Sequence, residues 1–204
     1  MQRPFSQACE NNQEPLMEVL GEVFGQVESV LELGSGTGQH ARYFAERLPH
    51  IQWQPSDLAE NIAAIEQWRE DYHGSNLAAP VPLDVREHNW PLDIGDAVFT
   101  ANSLHIMAWS SVQSLFSYLD EYAPTRNLLV VYGPFNYGGE YTSESNARFD
   151  EWLAQRNPDS AIRDFEQLDQ LARDAGYRLQ GDYAMPANNR TLVWQKLSLV
   201  SSTA

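Results

Sequence analysis

Hydrophobic positions along the chain change between two spacings, which predicts strands and helices in alternation. Mostly apolar runs at 30–33 and 97–101, and an apolar run at 128–132, are typical of buried strands. Between these runs, apolar side chains recur every three or four residues, which indicates helices that bury one face. Repeated strand–helix–strand units favour a parallel sheet with helices on both faces. The predicted fold class is therefore α/β.

Several helix ends are marked by residues that favour a start or a stop. Pro15 is expected in the first turn of the first helix, and Gly25 is expected to close that helix. Ser110, together with Gln113, is predicted to cap a helix that begins there. The other predicted helices cover residues 41–48, 62–74, 142–156 and 164–176.

Further strands are predicted at 51–54, just before Asp84, and twice near the C-terminus, at 177–183 and 191–197. The short turn at 186–190 favours an antiparallel arrangement of the last two. No internal repeat, low-complexity tract or linker interrupts this order, so a single domain is expected.

Charge and composition exclude several classes of protein. The 204 residues include 13 basic and 28 acidic side chains, a net charge of -15, and the basic residues form no run. A binder of duplex DNA or tRNA normally presents a basic stripe, so nucleic acid is not an expected partner. No apolar run approaches the ~18 residues of a membrane span, and the N-terminus lacks the apolar core of a secretion signal. We therefore expect a soluble, cytoplasmic protein without a membrane partner.

Neither disulfide nor metal chemistry is indicated. Cys9 is the lone cysteine, which excludes an internal disulfide and a multi-cysteine metal site. No cluster of His, Cys and Asp residues has the spacing of metal ligands, so no metal is predicted. The serines lie in no nucleophile elbow, and hydrolase chemistry has no support.

The sharpest motif is a glycine loop, Glu32-Leu-Gly-Ser-Gly-Thr-Gly38, placed where the first strand gives way to a helix. Glycines allow a tight turn there and let a ligand approach main-chain atoms. The start of the next helix offers free N–H groups to an anion. A dinucleotide fingerprint needs G-x-G-x-x-G, whereas the third glycine here comes one residue early. The spacing therefore disfavours a nicotinamide cofactor.

Acidic residues follow the next two predicted strands. Asp57 lies about 20 residues after the glycine loop, where an acceptor for ribose hydroxyls belongs. Asp84 follows the third strand and can accept from an adenine amino group. Either acid alone is more often a helix cap or a solvated residue, but the glycine loop beside them favours a ligand site.

These motifs resemble those of class I S-adenosylmethionine (SAM) dependent methyltransferases. More narrowly, the chain resembles a small methyltransferase-like family of unknown substrate found in bacteria and animals (methyltransferase-like twenty-six type). One stretch departs from it: the chain reads Asn11-Asn-Gln-Glu-Pro15 where members often have an Arg-Asn-Arg-Glu-Pro-like sequence. The segments that carry the resemblance are 14–15, 31–40, 52–57, 102–105 with Trp109, 132–135, 146–150 and 185–189.

The resemblance implies a Rossmann-like fold with a mostly parallel, seven-stranded sheet, helices on both faces and an antiparallel last strand. It also implies one methyltransferase domain over residues 1–204: an N-terminal helical segment (1–29), a cofactor-binding core (30–132) and a substrate-side part (133–204) that ends in a hairpin. The implied activity is transfer of a methyl group from SAM to a small molecule, which leaves S-adenosylhomocysteine.

The resemblance assigns cofactor contacts to the ends of the early strands. Glu32 and the loop after it would hold the methionine portion, Asp57 the ribose, and Asn102 the region of the transferred methyl. Leu58 would pack on the adenine, and the pair after the third strand would bracket its edge. The implied cofactor-binding residues are Glu32, Gly34, Ser35, Gly36, Thr37, Gly38, Asp57, Leu58, Asp84, Val85 and Asn102.

The acceptor side is expected beyond the fourth and fifth strands. His105 is a candidate general base, the alternative being a hydrogen bond within its loop; His40 is expected to be structural. The aromatic, glycine-rich segment 132–141 is predicted to close over the substrate, the alternative being an inert loop. Arg148 is a candidate clamp for a carboxylate. The substrate-side candidates are His105, Tyr132, Asn136, Tyr137, Tyr141, Asn146 and Arg148.

Two other functions stay open at this point. A nicotinamide-dependent oxidoreductase is disfavoured by the glycine spacing. A SAM-binding regulatory or scaffold module without turnover is compatible with every motif, because a cofactor pocket does not establish catalysis. The sequence carries no indication of the oligomeric state or of the acceptor's identity.

Overall fold

The structure is a computed structural model that describes residues 3–198, and within that range the chain alternates between strands and helices. The strands are β1 (Ser29–Leu33), β2 (Gln52–Asp57), β3 (Val81–Pro82), β4 (Ala97–Ala101), β5 (Leu128–Gly133), β6 (Phe135–Asn136), β7 (Arg163–Asp164), β8 (Tyr177–Met185) and β9 (Asn189–Lys196). The α-helices are α1 (Gln7–Val23), α2 (Gln39–Arg47), α3 (Ile62–Arg69), α4 (Trp109–Tyr122), α5 (Glu144–Arg156) and α6 (Phe165–Asp174). Single 3₁₀ turns precede α3 and β9.

Seven of the strands form one sheet in the order β3-β2-β1-β4-β5-β9-β8. The first five strands of the chain run parallel to one another, while β9 is antiparallel to both β5 and β8. The last two strands therefore form a hairpin at one edge. The predicted fold class is confirmed, including the mostly parallel sheet and the antiparallel last strand.

Helices cover both faces of the sheet, and alternate strand residues contact opposite layers. Leu31 belongs to the core cluster that includes Leu115 of α4 and Leu168 of α6. Val30, its neighbour in β1, belongs to the other cluster, with Phe44 of α2. Full burial of such side chains contributes about 1.5–3 kcal/mol each. The central strands are apolar on both sides because both sides are buried.

The first helix begins earlier than predicted. Ser6 is the N-cap and its Oγ accepts a hydrogen bond from the Cys9 N–H at 3.4 Å, so α1 starts at Gln7. Pro15 consequently lies inside the helix, not in its first turn. The position of Pro15 was a poor guide to the helix start. The helix begins further upstream, where the side chain of Ser6 accepts from one of the free N–H groups of its first turn.

The predicted capping box at Ser110 is also wrong. Helix α4 starts at Trp109 after the extended residue Ala108, and no side chain caps it. Ser110 is an exposed residue of the first turn, and its carbonyl accepts from Ser114 Oγ at 3.0 Å. By contrast, Asp164 does cap α6, by accepting from the Glu166 N–H at 3.3 Å.

A second, two-stranded sheet was not predicted. Strand β6 pairs in parallel with β7, with Phe135 opposite Arg163 and Asn136 opposite Asp164. Two-residue strands have no hydrophobic periodicity, so their pairing depends on contacts between distant parts of the chain. This pairing fixes the segment after β5 against the segment before α6.

Removing a true helix cap should cost stability where removing the mistaken one should not. Ser143 caps α5 and accepts from the Asn146 N–H at 3.1 Å. We expect Ser143→Ala to lower the free energy of unfolding by about 1 kcal/mol. The matched control, Ser110→Ala, should stay within about 0.5 kcal/mol. Urea unfolding measures both, and equal losses would contradict the assignment.

Candidate active site

The carboxyl ends of β1, β2, β4 and β5 lie at one edge of the sheet because these strands are parallel. The glycine loop, residues 34–38, follows β1 at this edge and is bonded to the end of β2. The Ser35 N–H donates to the Ser56 carbonyl at 3.0 Å, and the Ser56 N–H donates to Ser35 Oγ at 3.2 Å. These two bonds hold the loop across the strand ends.

Two glycines of the loop have different physical roles. Gly34 has φ +70°, and a Cβ there would lie 2.5 Å from Ser103 Oγ, so its missing side chain permits close packing on the loop after β4. Gly36 has φ +58°, and a Cβ there would meet nothing within 4 Å. The loop is therefore packed on one side and open at Gly36, where a ligand can approach the backbone.

Glu32 is the buried acid of the site, with 2% of its surface exposed. Its Oε2 accepts a hydrogen bond from Trp53 Nε1 at 2.9 Å. Burial raises the pKa of Glu32 to about 7, although hydrogen bonds from Trp53 and Ser35 act in the opposite direction. The nearby charge of Asp57 raises that pKa further.

Asp57, at the end of β2, is bonded to three donors. Its Oδ2 accepts from the Gly36 N–H at 2.7 Å, while its Oδ1 accepts from the Leu58 N–H at 2.7 Å and from Asn61 Nδ2 at 2.8 Å. Leu58 itself is 38% exposed. The carboxylate thus has a fixed orientation beside the open part of the loop, and its predicted contact with ribose stays a prediction. Among residues 3–198, neither Asp57 nor Glu32 forms a salt bridge.

Asp84 follows β3 and is engaged by Arg86. The guanidinium Nε lies 2.9 Å and 3.0 Å from the two carboxylate oxygens, and Nη2 donates to one of them as well. This pairing holds the pKa of Asp84 below its ordinary value. Val85 beside it is buried. A contact of Asp84 with an adenine amino group stays a prediction, and it requires the exposed Arg86 to share the carboxylate.

Asn102 and Tyr132 meet where β4 and β5 end. Asn102 has φ +56°, a left-handed conformation that asparagine tolerates, and its N–H donates to the Tyr132 carbonyl at 2.9 Å. Tyr132 packs in the same core cluster as Leu16 and Leu20 of α1, and burial raises the pKa of its hydroxyl. The structure therefore brings Tyr132 against α1, on the sheet face opposite to that of His105.

The N-terminal part of α1 covers the glycine loop. The Ser6 carbonyl accepts from Gln39 Nε2 at 3.3 Å. Asn12 Oδ1 lies 2.6 Å from His40 Nε2, and burial lowers the pKa of His40 to about 4. His40 also stacks on Phe44 at 5.4 Å between ring centroids. His40 is thus a buried, neutral packing residue.

His105 lies in the loop after β4 and is 5% exposed. Its ring contacts Phe149 edge-on, with ring centroids 5.4 Å apart. Burial lowers the pKa of His105 to about 4; the charge of Arg163 acts in the same direction and that of Asp150 in the opposite one. The ring is therefore neutral at physiological pH, and its role as a general base stays a prediction.

The segment 133–141 is held at several points. The Tyr137 hydroxyl donates to Asp182 Oδ2 at 2.9 Å, and burial raises the pKa of Tyr137 above its ordinary range. The N–H groups of Gly138 and Gly139 donate to the side chains of Glu166 and Asp164 at 3.0 Å and 2.9 Å. Closure of this segment over a substrate stays a prediction, and it requires these contacts to open.

The remaining acceptor-side candidates differ in exposure. Asn146 is buried and donates to Thr142 Oγ1 at 2.9 Å, whereas the Arg148 side chain is 70% exposed. Arg148 faces Glu144 of its own helix at 3.7 Å. Asn136 Oδ1 is buried without a hydrogen-bond partner among the described residues. Its unused acceptor lies on the segment that the sequence assigned to the substrate.

Tyr141 was also predicted on the substrate side. Its hydroxyl donates to Asp150 Oδ2 at 2.7 Å, and the other carboxylate oxygen accepts from the Ile162 N–H at 2.6 Å. Asp150 therefore links segment 133–141 to the chain before β7. A direct contact of Tyr141 with substrate stays a prediction.

Sequence reasoning missed three residues of this edge. Trp53 donates to Glu32, Asn12 joins α1 to His40, and Arg163 holds the loop that carries His105. The family-like segment at 52–57 contained Trp53, but a strand tryptophan is ordinarily a core residue. Arg163 had no local signal, because the loop carbonyls to which it donates, those of Leu104 and Met107, are more than fifty residues away in the chain.

The described range offers neither a cluster of metal ligands nor a membrane-spanning helix. No group of three or more His, Cys, Asp and Glu side chains within 3–198 is arranged to hold a metal ion. No helix in this range is long and apolar enough to cross a membrane.

Comparison of the sequence with family models places it in one family. Residues 3–196 match the model described as a protein of unknown function, DUF938. The match covers nearly the whole chain, and the protein belongs to this family.

Solved structures with the same fold include proteins named as methyltransferases. An O-methyltransferase family protein from Burkholderia thailandensis superposes with a TM-score of 0.81 at 16% identity, over 94% of this chain and 58% of that one. Human N-acetylserotonin methyltransferase, solved with SAM, gives 0.74 at 16% identity, over 94% and 55%. PigF, solved with SAH, gives 0.75 at 16% identity, over 94% and 64%. The protein thus spans little more than half the length of the first two, and at this identity the likeness establishes the fold alone.

Alanine substitutions in the glycine loop should distinguish a position that is packed against α3, Gly38, from a position that is open, Gly36. A Cβ at Gly38, with φ +88°, would lie 2.9 Å from Ile65 Cα, whereas one at Gly36 would meet nothing within 4 Å. Gly36→Ala should cost about 1–2 kcal/mol, from the left-handed backbone alone. Gly38→Ala should cost distinctly more, because a clash is added. Chemical unfolding of both variants tests this order, and the reverse order would contradict it.

Proposed function

We propose that this protein is a SAM-dependent methyltransferase that acts on a small molecule. The observation that carries the proposal is a buried carboxyl group, Glu32, that has no cationic partner in residues 3–198 and lies next to the glycine loop that is open at Gly36. An ammonium group would supply the missing charge, and a backbone without Cβ atoms would accept the ligand closely. SAM meets both requirements.

The chain's own residues divide the work as follows. Glu32 would accept from the ammonium group, Asp57 from the ribose hydroxyls, and Asn102 would lie near the methyl group. When bound, SAM supplies a methyl group on a sulfonium, which an O, N, S or C nucleophile displaces. Since this donor is already activated, much of the rate can come from holding the nucleophile about 3–3.5 Å from the methyl group and in line with it.

His105 and the aromatic segment after β5 would hold the acceptor. The depressed pKa of His105 keeps the imidazole neutral, so it can accept a hydrogen bond from a hydroxyl or amine without competing charge. Such a weak base removes a proton poorly, which favours orientation of the acceptor over full proton transfer. The solved relatives named above include small-molecule methyltransferases, and this supports a small acceptor here.

The principal alternative is a SAM-binding module without turnover. It shares every cofactor contact with the proposed enzyme and differs only on the acceptor side. Conversion of SAM to S-adenosylhomocysteine in the presence of a metabolite pool separates the two. A nicotinamide-dependent oxidoreductase is the weaker alternative, and binding of NAD in place of SAM would favour it.

Calorimetry should detect SAM binding at micromolar concentration, about -8 kcal/mol. Asp57→Ala should weaken it by about 1–3 kcal/mol, because the ribose hydroxyls lose a charged acceptor. The control is Asp120→Ala, which removes an exposed acid of α4 and should leave binding unchanged. Absence of binding by the unmodified protein at millimolar SAM would overturn the proposed class.

Binding should also depend on pH through Glu32. In the free protein this group has a pKa of about 7, and a bound cation lowers that pKa, so binding below pH 7 releases a proton. Affinity should therefore fall as pH decreases from 7 to 5.5, with up to a tenfold loss per unit. Titrations in buffers of different ionisation enthalpy measure the released proton directly.

Two variants test whether Glu32 is the group responsible. Glu32→Gln should bind more weakly at pH 7 and lose the pH dependence. Trp53→Phe removes the donor to Glu32, so the pKa of Glu32 should rise further and the pH dependence should move to higher pH. A pH dependence that persists in Glu32→Gln would assign the proton to another group.

A further inference from the structure

Four consecutive backbone carbonyls, those of residues 104–107, accept hydrogen bonds from one short stretch of chain, residues 159–164, which we call the brace segment. The Ala161 N–H donates to the second of these carbonyls at 3.0 Å, and Ser160 Oγ donates to the third at 2.8 Å. Arg163 supplies the two outer bonds. The loop after β4 is therefore held at every one of these carbonyls from the same side.

Arg163 is the charged member of the brace segment, and it is only 8% exposed. Its Nε donates to the Leu104 carbonyl at 3.0 Å, and its Nη2 donates to the carbonyls of Met107 and Asp159. The guanidinium carbon lies 5.8 Å from the centre of the Trp109 ring. The planar, forked guanidinium reaches several carbonyls at once, which a lysine ammonium on its flexible stem cannot match.

The brace segment also contacts the chain that follows β5. Phe135 pairs with Arg163 and Asn136 pairs with Asp164 in the parallel ladder of β6 and β7. One short segment thus holds both loops that leave the strand ends on the acceptor side, the first by its carbonyls and the second by a strand pairing.

The group that these contacts place is the His105 ring. A Cβ at Gly133 would lie 3.5 Å from His105 Nδ1, so the ring lies directly beside the end of β5. Two charged groups face it: Asp150 from α5 and Arg163 from β7, while Phe149 contacts it edge-on. The ring thus belongs to the first of the two loops that the brace segment holds, and it lies beside Gly133, where the second begins.

We propose that Arg163 is a positioning residue of the acceptor site, which fixes the loop 104–107 so that the His105 ring stays beside the end of β5. This inference rests on the proposed function of that edge in methyl transfer. Arg163 acts through His105 and does not itself need to touch the acceptor. Burial is the main cause of the low pKa of His105, and the charge of Arg163 acts in the same direction by disfavouring a second positive charge on the ring.

A purely packing role for Arg163 makes a different prediction. A side chain needed only to fill space can be replaced by a long apolar one with little effect beyond stability. Loss of the guanidinium would, on our proposal, leave buried carbonyls of the loop without donors and remove a charge facing His105. The state of the His105 ring therefore distinguishes the two.

The test uses the full chain with ¹⁵N-labelled histidine, and a His105→Gln spectrum assigns the signals. In the unmodified protein His105 should stay neutral down to pH 5.5. In Arg163→Met the midpoint of its titration should rise by about one pH unit or more, because a nearby positive charge is lost. In Arg163→Lys the midpoint should stay low, while the Ala161 amide exchanges faster with solvent because the forked contacts are gone.

Ser160→Ala is the matched control, since it removes one bond to the loop without a change of charge. Its Ala161 amide should exchange faster, with the His105 midpoint unchanged. An unchanged His105 midpoint in Arg163→Met, or Ala161 exchange at the unmodified rate in both Arg163 variants, would overturn the proposal. If Arg163→Met fails to fold, Arg163→Lys and Ser160→Ala decide, and Ala161 exchange at the unmodified rate in Arg163→Lys overturns it.

SAM affinity separates this inference from the proposed function. The variants Arg163→Met, Arg163→Lys and Ser160→Ala should bind SAM within about twofold of the unmodified protein, because Glu32, the glycine loop and Asp57 lie outside the braced carbonyls 104–107. If the unmodified protein does not bind SAM, the proposed function fails, while the histidine spectra still decide whether Arg163 positions His105.

Discussion

The carboxylate of Asp57 joins three pieces of chain that meet at the strand ends. It accepts from the Gly36 N–H in the glycine loop, from the Leu58 N–H after β2 and from the Asn61 side chain before α3. Hydrogen bonds to an ionised acceptor are roughly twice as strong as those between neutral groups. Here they stabilise a loop whose backbone is left-handed at its glycines. Together with the two hydrogen bonds between Ser35 and Ser56, this side chain fixes the position of the loop and the start of α2. A group that holds the loop in this way is already oriented for a ligand that lies on it.

Glu32 differs from Asp57, because its ionised form lowers the stability of the free protein. Its folded-state pKa lies near 7, above the ordinary value of 4.5, so the folded protein binds a proton that the unfolded chain releases. Stability therefore falls as pH rises from 4.5 to 7, and it falls because a charge is being formed where water is excluded. A cation bound beside Glu32 would reverse this loss. Ionisation of the buried Glu32 thus lowers the stability of the free protein, and a bound cation would restore it. This behaviour is expected of a ligand-binding residue and not of a residue retained for stability.

Sequence patterns predicted the parts of this structure whose causes are local. The glycine loop, the acid that ends β2 and the apolar central strands were all read correctly, because each depends on neighbouring residues. The start of α1 was wrong since a cap at Ser6 outweighed the signal of Pro15. The β6–β7 pairing and the role of Arg163 had no local signal at all, because they arise between segments brought together only by the folded chain.

The strand-end edge has two halves, one with contacts between residues close in the chain and one with contacts between distant segments. The proposed cofactor half is built from contacts among residues 32–61, which are close in the chain. The proposed acceptor half joins the loop 102–107 to segments 133–141 and 159–164 through long-range contacts. The halves meet at Gly34, packed on Ser103, and at the ends of β4 and β5. Substitutions in the later segments can therefore change the proposed acceptor half while the contacts of Glu32 and Asp57 remain intact, because the two halves share few contacts.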